Sequence, residues 1–369
     1  MTIRNRLKLL GLVPVTLLIL LASYFFIISY ANVEKANALK LTLGNHAKLD
    51  NLLGQLEKER GLSSLYLGSG QKEFKEVLDK QRVKTDQAIK GLKLDTISHD
   101  NASLPFISGL INKDLSKDLM GYSSVMKSLQ DIEARRKIVD SENPDFKVVF
   151  FDEFTKKLTD PIHDTLLKVN NFALDTEITS LIASLSQLYI AKENAGLERD
   201  YVAYYMGKRL SMSFEEIAIW NEFKTKANFF DIERVTSPQL LKELQQLISD
   251  PQAAEILTEL AEASSAIQTD VDNGDYAIDP MDWFALQTKK ITLLSKMQLL
   301  ISNTLWQKSE AYLQRQILLL SIASTILLLS LIFIYLAYTT IRDTTRNINE
   351  LEDVLNKAVT EMKSSEQYL

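Results

Sequence analysis

The chain has no cysteine and little glycine or proline, 12 and 7 among 369 residues. The absence of cysteine excludes disulfides, thiolate metal sites and thiol nucleophiles. Because glycine and proline are scarce, helix breakers are few, and leucine, alanine, glutamate and lysine favour helix almost everywhere. The sequence has no alternating strand pattern of useful length. It therefore predicts an all-α protein, built outside the membrane as one or two up-and-down helical bundles.

The sequence also lacks a basic field and any recognisable catalytic motif. Its net charge is −6, which argues against nucleic acid as a partner. The three histidines have neither the spacing nor the acidic companion of a helical metal site. There is no glycine-rich phosphate loop and no nucleophile elbow. We therefore expect no enzyme, no cofactor and no metal.

Two long apolar runs, residues 9–30 and 317–338, contain no charged residue. Each exceeds the roughly 20 residues that a helix needs to cross a lipid bilayer. Three basic residues and no acidic one lie within residues 1–8, which predicts a cytoplasmic N-terminus. Two crossings then return the chain to the cytoplasm and leave residues 31–315 outside.

A cleaved signal peptide is the alternative for the first run, because Ala36-Asn37-Ala38 resembles a cleavage site. A cleavable apolar region is usually about 7–15 residues long, which is shorter than this run. We therefore expect an uncleaved membrane anchor.

After the second run, apolar residues recur at a stride of seven. They are Ile341, Ile348, Leu355, Met362 and Leu369. This spacing favours a parallel coiled coil, with a merely amphipathic exit helix as the alternative. We expect residues 339–369 to form a cytoplasmic coiled-coil signalling helix in a homodimer. It would act on an output domain or partner that the sequence does not identify.

Two of the predicted outer helices place an arginine on an otherwise apolar face. The first stripe reads, at helical spacing, Leu49, Leu53, Leu56, Arg60 and Ser63. The second stripe reads Leu185, Leu188, Lys192, Ala195 and Arg199. Gly61 and Gly196 lie nearby, and a glycine lets another backbone approach closely. The pattern predicts two guanidinium groups inside the bundle and weakly suggests two related halves.

A guanidinium on the inner face of a helix is costly unless an anionic group meets it. Nearby glutamates could close internal salt bridges, as in a membrane-anchored helical scaffold. If both helices share one core, the two cations could instead stay unpaired in a dry cleft. They would then bind a small planar oxyanion, whose geometry matches the guanidinium fork. Ser63 could add a neutral donor.

The chain resembles the nitrate- and nitrite-sensing domain family over about residues 45–305. Five segments carry the resemblance: L-x-x-L-x-x-E-R-G-x-S (53–63), TDQAI (85–89), IEARRKIVD (132–140), KENAGLERD (192–200) and DPMDWFALQTKKI (279–291). It implies all-helical bundles, found in membrane receptors with varied outputs. It also implies that Arg60 and Arg199 bind nitrate or nitrite, with Arg136 as a third candidate.

We therefore expect a two-pass sensor in the bacterial inner membrane, with both termini cytoplasmic and a periplasmic sensor domain. Nitrate or nitrite would bridge two arginines and change how the helices that enter the lipid bilayer are placed. The predicted site residues are Arg60, Arg199, Arg136, Ser63, Gly61 and Gly196. A sensor of another small anion, such as a carboxylate, and the helical scaffold remain open as alternatives.

Overall fold

The computed structural model describes residues 3–95 and 122–367, with side chains for 13–95 and 122–363. This part contains ten α-helices and no strand, which confirms the all-α prediction. In chain order they are α1 (Ile3–Gly68), α2 (Lys75–Gly91), α3 (Tyr122–Gln130), α4 (Ile132–Val139), α5 (Asp160–Leu167), α6 (Thr176–Lys208), α7 (Phe214–Lys226), α8 (Pro238–Ile248), α9 (Pro251–Asp270) and α10 (Pro280–Gln367). A π-helical segment, Val148–Thr159, leads into α5.

Three of these helices begin at a proline that follows a polar turn. Pro238, Pro251 and Pro280 open α8, α9 and α10. Proline suits the first helical position because the N–H that it lacks would have no partner within the helix. The Asp, Asn, Ser and Pro residues at 236–239, 249–252 and 270–280 predict helix breaks, and the structure has a break at each. A further break predicted by the same residue types at 95–103 falls almost entirely outside the described residues, and Leu369 of the coiled-coil seam lies outside them as well.

The end of α6 was harder to predict from the sequence. Arg209 ends it with a backbone in the left-handed region, at φ 52°. Glycine and asparagine favour that conformation, and arginine does not. The break therefore carries no local sequence signal.

The chain forms two compact units, Met1–Glu34 with Tyr312–Leu369, and Lys35–Ala311. The first unit contains both apolar runs, where large side chains such as Leu17 (61%), Phe25 (52%) and Phe333 (57%) are exposed. Both helices that contain these runs are long and apolar enough to cross a membrane. Their exposed apolar surface suits a lipid environment better than water.

Helix α6 is the central element of the Lys35–Ala311 unit. Every side chain from residue 191 to residue 203 is buried, so this stretch has no solvent-facing side. It contacts α1 through Arg199, α7 through Glu198, and α10 through the backbone oxygen that accepts from Trp283 Nε1. The single apolar stripe expected from the sequence is therefore wrong for this part of α6. Polar residues on all its faces must find partners inside the core.

The ends of α1 and α6 approach so closely that only glycine fits at their contact. A Cβ atom on Gly68 would lie 2.9 Å from the carbonyl oxygen of Tyr204. A Cβ atom on Gly207 would lie 3.1 Å from the carbonyl carbon of Gly68. Both obstacles are backbone atoms, which cannot rotate away as a side chain can.

We expect Gly68→Ala to lower the free energy of unfolding by about 1–3 kcal/mol, because the added methyl forces the two backbones apart. Gly54→Ala is the matched control in the same helix, since a Cβ atom there meets nothing within 4 Å. It should raise stability by about 0.5–1 kcal/mol through helix propensity. Thermal unfolding of the detergent-solubilised chain, followed by circular dichroism, measures both. Equal shifts would contradict the close contact.

Candidate functional site

Asp200 joins the two predicted arginines inside the bundle. Its Oδ2 accepts a hydrogen bond from Nε of Arg60 at 2.8 Å, and its Oδ1 accepts one from Nε of Arg199 at 2.8 Å. All three side chains are buried, with no more than 2% exposed. Side chains from α1 and α6 thus meet at a single carboxylate.

The other nitrogens of Arg60 differ in how they are used. Nη1 donates to Oε1 of Glu193 at 2.8 Å and to Oγ1 of Thr159 at 3.3 Å. Nη2 is buried and has no hydrogen-bond partner among the described residues. A Cβ atom on Gly196 would lie 3.2 Å from this Nη2. The unpaired Nη2 of the guanidinium therefore packs against Gly196, a residue without a side chain.

Arg199 is held from three sides. Its Nη2 donates to the backbone oxygen of Glu57 at 3.0 Å, and its Nη1 donates to Oγ1 of Thr288 at 3.2 Å. The ring of Phe284 lies below the guanidinium, with the centroid 4.2 Å from Cζ. A Cβ atom on Gly61 would lie 2.3 Å from Oδ1 of Asp200. The space beside Gly61 thus holds side chains of the cluster rather than the second backbone that we expected.

The expectation that the two guanidinium groups stay unpaired is wrong. Arg60 has Asp200 and Glu193 as ionic partners, and Arg199 has Asp200. An unpaired buried cation would cost several kcal/mol, and the carboxylates of the core remove that cost. Sequence reasoning missed Asp200, although it directly follows Arg199. The all-round burial of α6 turns it inward as well.

Ser63 does not face the cluster as a free donor. Its hydroxyl donates to the backbone oxygen of Glu59, one turn earlier in α1, at 2.8 Å. This bond uses the hydroxyl proton that a ligand would need. The structure therefore gives Ser63 a local role within its own helix.

Arg136, predicted as a third ligand-binding arginine, belongs to a separate network of ion pairs. Its Nε and Nη2 donate to the two oxygens of Glu59 at 2.7 and 2.9 Å, and its Nη1 donates to Asp86 at 2.8 Å. Glu59 precedes Arg60 on α1, and consecutive helical residues point about 100° apart. With its carboxylate partners, Arg136 ties α4 to α1 and α2.

Two buried carboxyl groups, Glu57 and Glu193, lie beside Arg60 and influence each other's pKa. Burial, together with the nearby Glu193, raises the pKa of Glu57 well above its usual range. Burial also acts to raise the pKa of Glu193, but the charge of Arg60 and the hydrogen bond with Glu57 outweigh it and lower that pKa. Glu57 is therefore the protonated member and Glu193 the ionised one.

A cavity of about 420 Å³ lies between α1, α6 and α10. His46, Asp50 and Tyr189 line it, and burial lowers the pKa of His46 to about 4, so that this histidine stays neutral. Asp50 binds Nζ of Lys192, whose charge also acts on Glu57. The Lys192–Asp50 ion pair thus lies between the cavity and the carboxyl pair.

A model of the nitrate and nitrite sensing family matches residues 51–305. The match covers more than half of the chain, so the chain belongs to this family, as its motifs predicted. The family comprises signalling domains rather than enzymes.

Among solved structures, the chain is similar to the structure of the NasR transcription antiterminator, with a TM-score of 0.54 and 16% identity. The similarity covers 89% of this chain and 86% of that chain. At this identity it supports the fold alone. No curated protein matches the chain in sequence.

We expect Arg60→Ala to destabilise the ligand-free protein by about 3–5 kcal/mol, because the buried carboxylates of Glu193 and Asp200 lose their ion pairs with Arg60. Arg234→Ala is the matched control, since Arg234 pairs with Asp231 on the surface with 72% of its side chain exposed. Surface ion pairs contribute little, so the control should melt close to the unmodified protein. Similar melting temperatures for the two variants would contradict a buried network.

Proposed function

We propose that this protein is a membrane-bound sensor whose Lys35–Ala311 unit binds nitrate or nitrite at Arg60 and Arg199. The observation that carries the proposal is the single carboxylate of Asp200, which holds both guanidinium groups in a buried core. A carboxylate and a nitrate ion are both planar oxyanions of unit charge. A cluster built to hold one has the donors that suit the other. Family membership supports nitrogen oxyanions as the class of ligand.

In this proposal, the ligand enters an ion cluster that is already paired. It must therefore compete with a carboxylate for guanidinium N–H groups, rather than fill an empty cationic cleft. The Nη1–Nη2 edge of Arg60 is the natural place, because Nη2 has no partner among the described residues. Nη2 packs against Gly196, where even a Cβ atom would lie only 3.2 Å away, so the ligand takes the space that Glu193 vacates. Exchange of a carboxylate for the ligand moves a side chain of the protein. That movement creates the two states that a sensor needs.

Both helices that contain the apolar runs also contact the proposed site. Helix α1 contributes Arg60, and α10 contributes Thr288 and Trp283, which bond to the side chain and backbone of Arg199. A ligand that changes these contacts acts directly on α1 and α10. We propose that the change passes along these helices to the cytoplasm, where residues 339–369 form a dimeric coiled coil and act on an output domain or partner.

Two other functions have specific observations in their favour. Both arginines are ion-paired without a ligand, which favours a membrane-anchored helical scaffold in which the cluster is purely structural. The central partner of the arginines is a carboxylate, which favours a small carboxylate such as formate or acetate as the ligand. Binding measurements separate both from the sensor of nitrogen oxyanions.

We expect the full chain in detergent to bind nitrate or nitrite, measured by isothermal titration calorimetry. Arg60→Lys should weaken binding at least tenfold, because it keeps the positive charge beside Glu193 but removes the two-nitrogen edge. Arg136→Lys is the matched control and should bind as the unmodified protein does, since Arg136 lies in the other network.

Formate and acetate in the same titration identify the alternative ligand class. Binding of these anions with no heat from nitrate or nitrite would favour the carboxylate sensor. No binding of any anion by the folded chain would favour the scaffold.

The proposed topology places both termini in the cytoplasm and the Lys35–Ala311 unit in the periplasm of a bacterial inner membrane. Because the chain lacks cysteine, a single introduced thiol reports its location without background. We expect Phe214→Cys, at a site that is 88% exposed, to react with a membrane-impermeant maleimide in spheroplasts. Met362→Cys, at a site that is 70% exposed, should react only after the membrane is opened. The reverse pattern would contradict the proposed orientation.

A further inference from the structure

The ion cluster around Arg60 is electrically balanced. Arg60 and Arg199 supply two positive charges, Asp200 and Glu193 supply two negative charges, and Glu57 carries its proton. None of these five residues is more than 5% exposed. A monovalent anion that enters this interior alone would leave one negative charge uncompensated. Such a charge is expensive in a buried site, so the balance must be restored.

The geometry identifies the group that restores the balance. Glu193 accepts from Nη1 of Arg60 at 2.8 Å, whereas Asp200 accepts from Nε of the same residue. An oxyanion that binds the Nη1–Nη2 edge with two parallel hydrogen bonds would displace Glu193 and leave the bridge through Asp200 intact. Glu193 then loses its nearest cation while it remains buried beside the carboxyl group of Glu57.

We propose that nitrate binding is coupled to the uptake of one proton, with Glu193 as the group that accepts it. This inference rests on the proposed function and adds its regulation by pH. One anion and one proton enter together, so the net charge of the buried cluster stays at zero. No bond of the ligand forms or breaks. In the bound state, Glu57 and Glu193 form a pair of neutral carboxylic acids.

The titratable and charged groups that act on Glu193 come from two helices. They are Glu57 and Arg60 on α1, and Asp160 and His163 on α5. Lys192, its neighbour on α6, acts on Glu57 instead. Once the anion occupies the Arg60 edge, the largest influence that favours the charged form of Glu193 is offset. Burial and the nearby Asp160 then oppose the ionisation of Glu193, against the weaker effects of the Glu57 hydrogen bond and His163, while Lys192 already binds Asp50. Protonation of Glu193 follows from this change in its surroundings.

The test is calorimetry on the full chain in detergent, with nitrate as the probe because nitrate remains a monoanion from pH 5.5 to 7.5. Titrations at one pH in buffers of different ionisation enthalpy count the protons taken up. We expect a count close to one, and a Kd that increases by up to about tenfold for each unit of rising pH. Nitrate binding with no proton uptake and a constant Kd would overturn the coupling.

Two variants locate the proton. Glu193→Gln should bind nitrate with no proton uptake and with a Kd that does not change with pH, because its side chain is already neutral. Glu198→Gln is the matched control, a buried glutamate on the same helix that accepts from Trp220 Nε1 instead of Arg60, and it should keep the proton count near one.

The outcomes separate this inference from the proposed function. Nitrate binding without protons overturns the coupling alone. No binding of nitrate or nitrite at any pH by the folded chain overturns the proposed function together with the coupling. A proton count near one that persists in Glu193→Gln overturns the assignment to Glu193. If this variant fails to fold, the proton count of the unmodified chain still decides whether the coupling exists.

Discussion

The bridge from Asp200 to two guanidinium groups is the interaction on which the centre of this fold depends. It places three formal charges in the buried core and keeps them there through short, charge-assisted hydrogen bonds. Buried ionic groups of this kind add little net stability compared with apolar packing, but removal of one member is costly. The core is therefore specified by charge as well as by shape. A ligand that resembles a carboxylate can act on it.

The burial of α6 on every side explains why so many polar groups meet in the core. A helix at the edge of a bundle can turn its charged residues to solvent, whereas residues 191–203 cannot. Lys192, Glu193 and Arg199 bond to α1, where their partners are Asp50, Arg60 and the backbone of Glu57. Glu198 bonds to Trp220 on α7. These polar contacts therefore attach α6 to both α1 and α7.

Much of the architecture could be predicted from the sequence, because helix ends are set by local chemistry such as the prolines that open α8 to α10. The positions of Arg60 and Arg199 on apolar stripes could also be predicted from the local sequence. The ionic partners of these arginines could not be predicted, because Asp200 lies off the expected stripe of α6. The same holds for Arg136, whose carboxylates come from α1 and α2. Such pairings follow from tertiary packing, which periodicity does not encode.

Glu59 and Arg60 are consecutive residues of one rigid helix, and each is held by a different set of partners. Both carboxylate oxygens of Glu59 accept hydrogen bonds from Arg136, while Arg60 donates hydrogen bonds to Asp200 and Glu193. A rotation of α1 about its axis that breaks the bonds of one residue also distorts the bonds of the other. Together the two networks therefore fix the rotation of α1 about its own axis, and α1 can rotate only if both sets of hydrogen bonds break.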